Sequence, residues 1–113
     1  MSILLAFTLL FSQAGEATYY HESLHNNTMG CKPYNRYSIY DETIIAVGPA
    51  DYARYPCGTH LRITGPSGSI VGTRQDSCPG CIRSKIDLSS TGFQQVCGSL
   101  EIGRCNILIE VIE

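Results

Sequence analysis

The sequence has no tryptophan and no long apolar stretch, and its charged residues are few and dispersed. Among its 113 residues, 8 are Lys or Arg and 10 are Asp or Glu, so the formal net charge is −2. A nucleic-acid-binding surface needs a basic stripe, and an anionic membrane surface attracts a Lys/Arg cluster. Neither pattern is present, and no apolar run reaches the roughly 20 residues that a transmembrane helix needs. We therefore expect no nucleic-acid partner and no membrane association.

Motifs for a metal or a cofactor are also missing. No HExxH-type or paired metal-binding spacing occurs among the three histidines, His21, His25 and His60. A zinc site would have to combine Cys78 and Cys81 with Cys97 and Cys105, and this second pair lacks the close spacing of most zinc ligands. We therefore expect no metal and no cofactor, and zinc is the weaker alternative for these cysteines.

The beginning of the chain has the pattern of a secretory leader. Residues 3–11 form an uncharged apolar run, and Ser12-Gln13-Ala14 places small residues where a signal peptidase reads them. No Lys or Arg precedes the run, so its first part is atypical. We predict a leader over residues 1–14, a single domain over residues 15–113 and an extracellular location. A glycosylation acceptor sequence at Asn26 is consistent with this compartment.

All six cysteines follow the predicted leader. They lie at positions 31, 57, 78, 81, 97 and 105. An even number of cysteines in a small secreted domain is typical of disulfides, each of which contributes about 2–4 kcal/mol. We therefore predict three disulfides, but the sequence pattern alone does not choose among the possible pairings.

Short strand-like segments separated by Gly and Pro turns dominate the rest of the chain. These segments are residues 16–20, 43–47, 59–64, 69–75, 85–88 and 106–112. Pro49 is placed to begin a one-turn helix, and Ser89 or Ser90 is placed to cap a helix that continues to Val96. The pattern predicts a mainly β protein, a small closed or nearly closed barrel with one or two short helices.

The order of these segments resembles the double-psi β-barrel of expansin-like proteins. The motifs that carry the resemblance are GxATYY, AVxPADY, CGTxLRITGPSG, DxCPGC and IDLSxxGF. The same barrel occurs in barwin-type defence proteins, rare-lipoprotein-A-like domains and one class of endoglucanase. The resemblance implies a six-stranded barrel and a Cys31–Cys57 disulfide, and with it the local pairs Cys78–Cys81 and Cys97–Cys105.

The resemblance also implies a polysaccharide-binding groove. In microbial expansins the aspartates that match Asp76 and Asp87 lie in this groove, and the one matching Asp87 is important for wall loosening. Thr18 and Tyr19 match other groove positions. A tyrosine ring suits stacking on a sugar, so we expect Tyr19 and Tyr37 to be exposed there. The alternative for the two aspartates is that each binds backbone amides at a strand end.

Hydrolysis of a glycoside requires a second carboxyl group. Asp87 matches the general acid of the barrel endoglucanases, whose base lies on the first strand. The corresponding residues here, 20–22, are Tyr-His-Glu and contain no aspartate in register. We therefore expect no hydrolysis, and an endoglucanase that uses Asp87 with Glu22 is the weakest alternative.

The sequence thus predicts a secreted, monomeric, single-domain protein with an expansin-like function. It would bind cell-wall polysaccharide, cellulose or chitin, and loosen it without cutting it. An alternative of a different class is a protein-binding barrel, such as an inhibitor of papain-like cysteine proteases or a modulator of host defences. Its partner would be a secreted or host protein, bound through the loops at residues 21–37 and 97–105.

Overall fold

The structure, a computed structural model, describes residues 12–112. Most of the predicted leader lies outside this range. Its last three residues begin the first strand, β1 (Ser12–Tyr19), and pair with Glu110, Ile109 and Leu108. The strand therefore starts earlier than the expected residue 16, and cleavage after Ala14 stays a prediction. No helix within residues 12–112 has the length and apolar character that crossing a membrane requires.

The strands in the described part of the chain close into a barrel. After β1 they are β2 (Ile44–Val47), β3 (His60–Gly65), β4 (Gly68–Ser77), β5 (Lys85–Leu88) and β6 (Cys105–Ile112). Their order around the barrel is β1-β5-β2-β4-β3-β6. The β1–β5 and β2–β4 pairs are parallel, and the other four pairs are antiparallel. The predicted closed six-stranded barrel is confirmed.

The helices begin where the sequence places their first residues. The helix α1 (Ser90–Cys97) has Ser89 as its N-cap, and the Ser89 hydroxyl accepts a hydrogen bond from Gly92 N at 3.0 Å. Pro49 opens the 3₁₀ turn Pro49–Asp51. Two further 3₁₀ turns, Glu22–Leu24 and Leu100–Ile102, lie in segments that we expected to be loops.

The interior of the barrel is filled from the strands and from α1. Leu61 and Ile63 on β3 point inward and are fully buried, while His60 and Arg62 point outward, as the alternation in the sequence predicts. Phe93 and Val96 of α1 complete this core. Burial of a side chain of this size contributes about 1.5–3 kcal/mol, so this core is the main source of stability.

A second, smaller core lies beneath the segment that connects β1 to β2. It contains Tyr20, Met29, Tyr37, Ile44 and Ala46. This cluster covers one surface of β2 and so anchors the long connecting loop on the barrel. Three residues of this second core, Tyr20, Tyr37 and Ala46, also line a cavity on the surface of the barrel.

Three disulfides hold the loops. They join Cys31 to Cys57, Cys78 to Cys81 and Cys97 to Cys105. All three pairings implied by the expansin resemblance are therefore present. The zinc alternative is wrong, because it needs four free thiolates from cysteines that are bonded to each other.

Candidate functional site

A row of four residues crosses neighbouring strands of the barrel. Thr18 on β1 pairs with Asp87 on β5, Asp87 pairs with Ala46 on β2, and Ala46 pairs with Asp76 on β4. Strands are about 4.8 Å apart, so the backbones of the two aspartates are about 10 Å apart with only an alanine methyl group between them. The two acids predicted for a groove thus share one surface.

A β-bulge is needed to complete this row. The register between β2 and β4 shifts between Ile45, which pairs with Arg74, and Ala46, which pairs with Asp76. Without the extra residue, Gln75 would lie beside Ala46. The bulge therefore aims the Asp76 side chain at the same surface as Asp87.

A cavity of about 270 Å³ lies over Asp87, Ala46 and Asp76 of this row, and Thr18 does not line it. Its floor contains Ala46, Asp76 and Asp87. Its walls are formed by Tyr20 and Tyr37, by Leu24, Asn27 and Thr28 of the β1–β2 connection, and by Ser77, Cys78 and Pro79. The cavity is therefore mixed in character, with apolar walls around two carboxylates.

Asp87 accepts fewer hydrogen bonds from the protein than Asp76 does. The Thr18 hydroxyl donates a hydrogen bond to Asp87 Oδ1. Within residues 12–112 no other donor reaches this half-buried carboxylate. Its second oxygen is therefore available to accept hydrogen bonds from a ligand.

Asp76, in contrast, accepts hydrogen bonds from the protein at both of its carboxylate oxygens. Its Oδ2 accepts from the Tyr20 hydroxyl at 2.6 Å. Its Oδ1 accepts from Gly30 N at 2.8 Å and from Ser77 N at 2.9 Å. The alternative of a carboxylate that binds backbone amides at a strand end is thus correct for Asp76. This residue joins the β1–β2 connection to β4.

Tyr20 is a site residue that the sequence reasoning missed. Its ring is stacked on that of Tyr37, with the centroids 4.0 Å apart and the planes 6° from parallel. Burial raises the pKa of the Tyr20 hydroxyl, and the hydrogen bond to Asp76 raises it further. Tyr20 therefore remains a proton donor to Asp76. Side-chain alternation was the available signal, because Tyr20 and Thr18 are two residues apart and share a face.

The expected exposure of Tyr19 and Tyr37 is wrong. Tyr19 points to the barrel side of β1, where its ring lies 4.8 Å from that of Phe93 and its hydroxyl donates to Leu100 O at 2.8 Å. Tyr37 contributes to the cavity wall but is only 1% exposed, because the Tyr20 ring covers it. Neither ring offers an open stacking platform.

The Cys78–Cys81 turn supports one wall of the cavity. Cys78 N donates to Val47 O at 2.8 Å at the end of β2. Gly48 allows the turn to approach closely, since a Cβ atom on this residue would lie 2.1 Å from Cys81 O. The motif therefore acts as scaffolding beside Asp87.

Two further predicted residues lie outside the cavity. Glu22 is exposed in its 3₁₀ turn and does not contribute to the cavity lining, so it is not placed as a partner for Asp87. Asn26 is exposed, and its backbone carbonyl accepts from Arg36 Nη1 at 2.8 Å. Its side chain is accessible, and glycosylation there stays a prediction.

Comparison with known proteins gives structural matches only. No protein-family model matches the sequence, and no curated protein matches it either. Expansin from Clavibacter michiganensis superimposes with a TM-score of 0.71 and 27% identity in its unliganded form. A variant of that expansin in complex with cellohexaose also gives a TM-score of 0.71, at 25% identity. The chain is an expansin-like double-psi β-barrel.

The matches differ in how much of the known protein this chain covers. Both expansin structures cover 90% of this chain, but the expansin-like barrel spans only 50% of their length. A Streptomyces papain inhibitor matches with a TM-score of 0.68 and 21% identity, over 90% of this chain and 94% of the inhibitor. The fungal elicitor cerato-platanin matches with a TM-score of 0.60 and 21% identity, over 87% of this chain and 92% of the elicitor. At 21% identity, the papain inhibitor and cerato-platanin show that the fold is shared.

Proposed function

We propose that the expansin-like barrel is a secreted protein that binds cell-wall polysaccharide, cellulose or chitin, over the Thr18–Asp87–Ala46–Asp76 row. The observation that carries this proposal is the free carboxylate oxygen of Asp87 on the cavity floor. An ionised carboxylate forms strong hydrogen bonds with sugar hydroxyl groups. The expansin bound to cellohexaose supports a glucan as the ligand class. Three disulfides are typical of an extracellular protein.

The binding loosens the polymer without hydrolysis. Hydrolysis requires an acid on one side of the glycosidic bond and a base or nucleophile on the other. Asp76 is held by three donors, and Glu22 is outside the cavity. Asp87 is therefore left as a binding group that competes for the hydroxyl groups of a polysaccharide chain.

Calorimetric titration with cellohexaose and with a chitin hexamer tests this proposal. Asp87→Asn should weaken binding roughly tenfold, because hydrogen bonds to a charged group contribute about 1.5–3 kcal/mol. Glu101→Gln, which removes a charge from an exposed residue away from the cavity, is the matched control and should bind as wild type does. If neither oligosaccharide binds the wild type, or if both variants behave alike, the proposal fails.

A reducing-sugar assay on the same polysaccharides separates binding from hydrolysis. We expect no release of reducing ends by wild type or Asp87→Asn. Release by wild type that Asp87→Asn abolishes would show instead that the barrel is an endoglucanase.

Protein binding is the second candidate. Exposed apolar side chains on two loops favour it: Tyr34 is 51% exposed and Ile102 is 54% exposed. Contacts with a protease would then use these loops and leave Asp87 unused. Inhibition of papain that Tyr34→Ala weakens and Asp87→Asn leaves unchanged would support this function over polysaccharide binding.

A further inference from the structure

A second cavity, of about 300 Å³, lies beside the Asp87 cavity. The β1–β2 connection crosses β4 between the two cavities, where Gly30 N donates to Asp76 and Cys31 N donates to Gln75 O at 3.1 Å. Residues 73–75 of β4 line the second cavity, and residues 76–78 line the first. Two depressions therefore follow one another along a single strand.

The second cavity is lined by two cations and by no acidic residue. Lys32 is exposed on the loop, whereas Arg74 is only 5% exposed. The lining of the first cavity has the opposite charge, since it holds Asp76 and Asp87 and no cation. The two cavities thus differ in the charge of the groups that they favour.

The positive charge of Arg74 is not paired with a carboxylate. Its guanidinium donates to Tyr55 O at 3.3 Å, to Asp76 O at 3.0 Å and to Ser77 Oγ at 2.9 Å. It also lies over the Tyr52 ring, 4.8 Å from the centroid. All of these partners are uncharged groups. A buried charge is normally paired, because its desolvation otherwise costs several kcal/mol, so an anion in this cavity would be favoured.

Polar side chains around the same cavity have unused donors. The Lys32 ammonium and the amides of Asn35 and Gln75 line the cavity and make no hydrogen bond within residues 12–112. Carboxylates accept several such bonds at once. The cavity therefore offers both charge and hydrogen bonds to a carboxylate.

We propose that the second cavity binds a carboxylate carried by the same polysaccharide chain that lies over the Asp87 row. This inference rests on the proposed function, because it takes the ligand to be a polysaccharide. The Arg74 guanidinium donates to Ser77 Oγ at 2.9 Å, and Ser77 lines the first cavity, so the two cavities adjoin and one oligosaccharide can contact both. Asp76 and Asp87 disfavour further anions nearby. The preferred ligand is thus a largely neutral chain with isolated acidic sugars.

The test compares oligosaccharides that differ by one carboxylate. The probes are cellohexaose and two acidic forms of it, one with a glucuronate at the non-reducing end and one with a gluconate at the reducing end. Both forms are needed because either chain direction is possible. Wild type at low salt should bind one of the acidic forms roughly fivefold more tightly than cellohexaose, as expected for one charge-assisted contact.

Substitutions test whether the tighter binding of the acidic probe depends on the second cavity. Lys32→Gln should lower the preference for the acidic probe, since Arg74 remains, and should leave cellohexaose binding unchanged. Arg104→Gln makes the same charge change at an exposed residue that lines neither cavity, and should keep the preference. Asp87→Asn should weaken the binding of cellohexaose and of the acidic probes. Equal binding of acidic and neutral probes by wild type overturns the inference, as does an equal loss in the Lys32 and Arg104 variants.

Two outcomes separate this inference from the proposed function. If cellohexaose binds and Asp87→Asn weakens it, but no acidic preference exists, the proposed function stands and the carboxylate site is wrong. If only the acidic probe binds, through Lys32 and independently of Asp87, the carboxylate site stands and the proposed function fails. Lys32-dependent binding of inorganic phosphate without a preference for the acidic probe would show a small-anion site and overturn the polysaccharide assignment.

Discussion

Asp76 and Asp87 lie on either side of Ala46, yet the protein uses them differently. Asp76 is held by the Tyr20 hydroxyl and by two backbone amides, whereas one hydroxyl group, that of Thr18, donates to Asp87. The difference comes from their surroundings, because the β1–β2 connection passes over β4 and supplies donors to Asp76 alone. The two acids of the row can therefore have different roles. Asp76 maintains the shape of the cavity, and Asp87 stays available to a ligand.

The largest effect should come from Tyr37, because its ring supports Tyr20 and hence the anchored state of Asp76. We expect Tyr37→Ala to destabilise the protein by about 3–5 kcal/mol, as for other fully buried aromatic residues. Guanidinium denaturation measures the change. Tyr40→Ala is the matched control, since Tyr40 is 76% exposed and its loss should cost little. Similar losses in both variants would show that the tyrosine stack does not hold the connection in place.

The two aspartates can be compared directly by substitution with alanine. Asp76→Ala leaves the donors of Tyr20 and Gly30 without their acceptor, so we expect a loss of about 2–3 kcal/mol in the free energy of unfolding. Asp87→Ala should cost less than about 1 kcal/mol, because only the Thr18 hydroxyl loses a partner. Urea denaturation of the two variants gives both values. Equal losses would mean that Asp87 is as structural as Asp76.

The sequence predicts local features of the fold better than it predicts this site. The helix cap at Ser89 or Ser90, the helix start at Pro49 and the alternation around Leu61 each depend on near neighbours along the chain. Each is confirmed, with Ser89 as the cap. The disulfide pairing required the resemblance to expansins, since spacing alone leaves many pairings possible.

The site itself depends on contacts between distant segments. The bulge that places Asp76 beside Ala46 is set by pairing between β2 and β4, and no local signal marks it. The burial of Tyr37 follows from stacking with a residue 17 positions earlier in the chain, Tyr20. The sequence therefore identified both acids, and the structure was needed to distinguish their roles.

The smallest expected effect concerns the hydroxyl that links Tyr20 to Asp76. Tyr20→Phe keeps the stacked ring and removes one hydrogen bond, so it should cost about 1 kcal/mol at neutral pH. Stability measured at alkaline pH tests the same hydroxyl group further. Since the Tyr20 pKa is raised in the folded protein, the unfolded chain loses this proton first, above about pH 10, and stability falls as pH rises.

Tyr20 should account for about 1 kcal/mol of the stability that wild type loses between pH 10 and 11. Tyr20→Phe should therefore show a shallower decline than wild type in denaturation measured at these two pH values. A decline remains in the variant, because burial also raises the pKa of Tyr37 and Tyr55. Parallel declines in the two proteins would mean that Tyr20 ionises as readily in the folded protein as in the unfolded chain. Its hydroxyl would then not be the buried donor that anchors Asp76, and the contrast between the two aspartates would lose one of its causes.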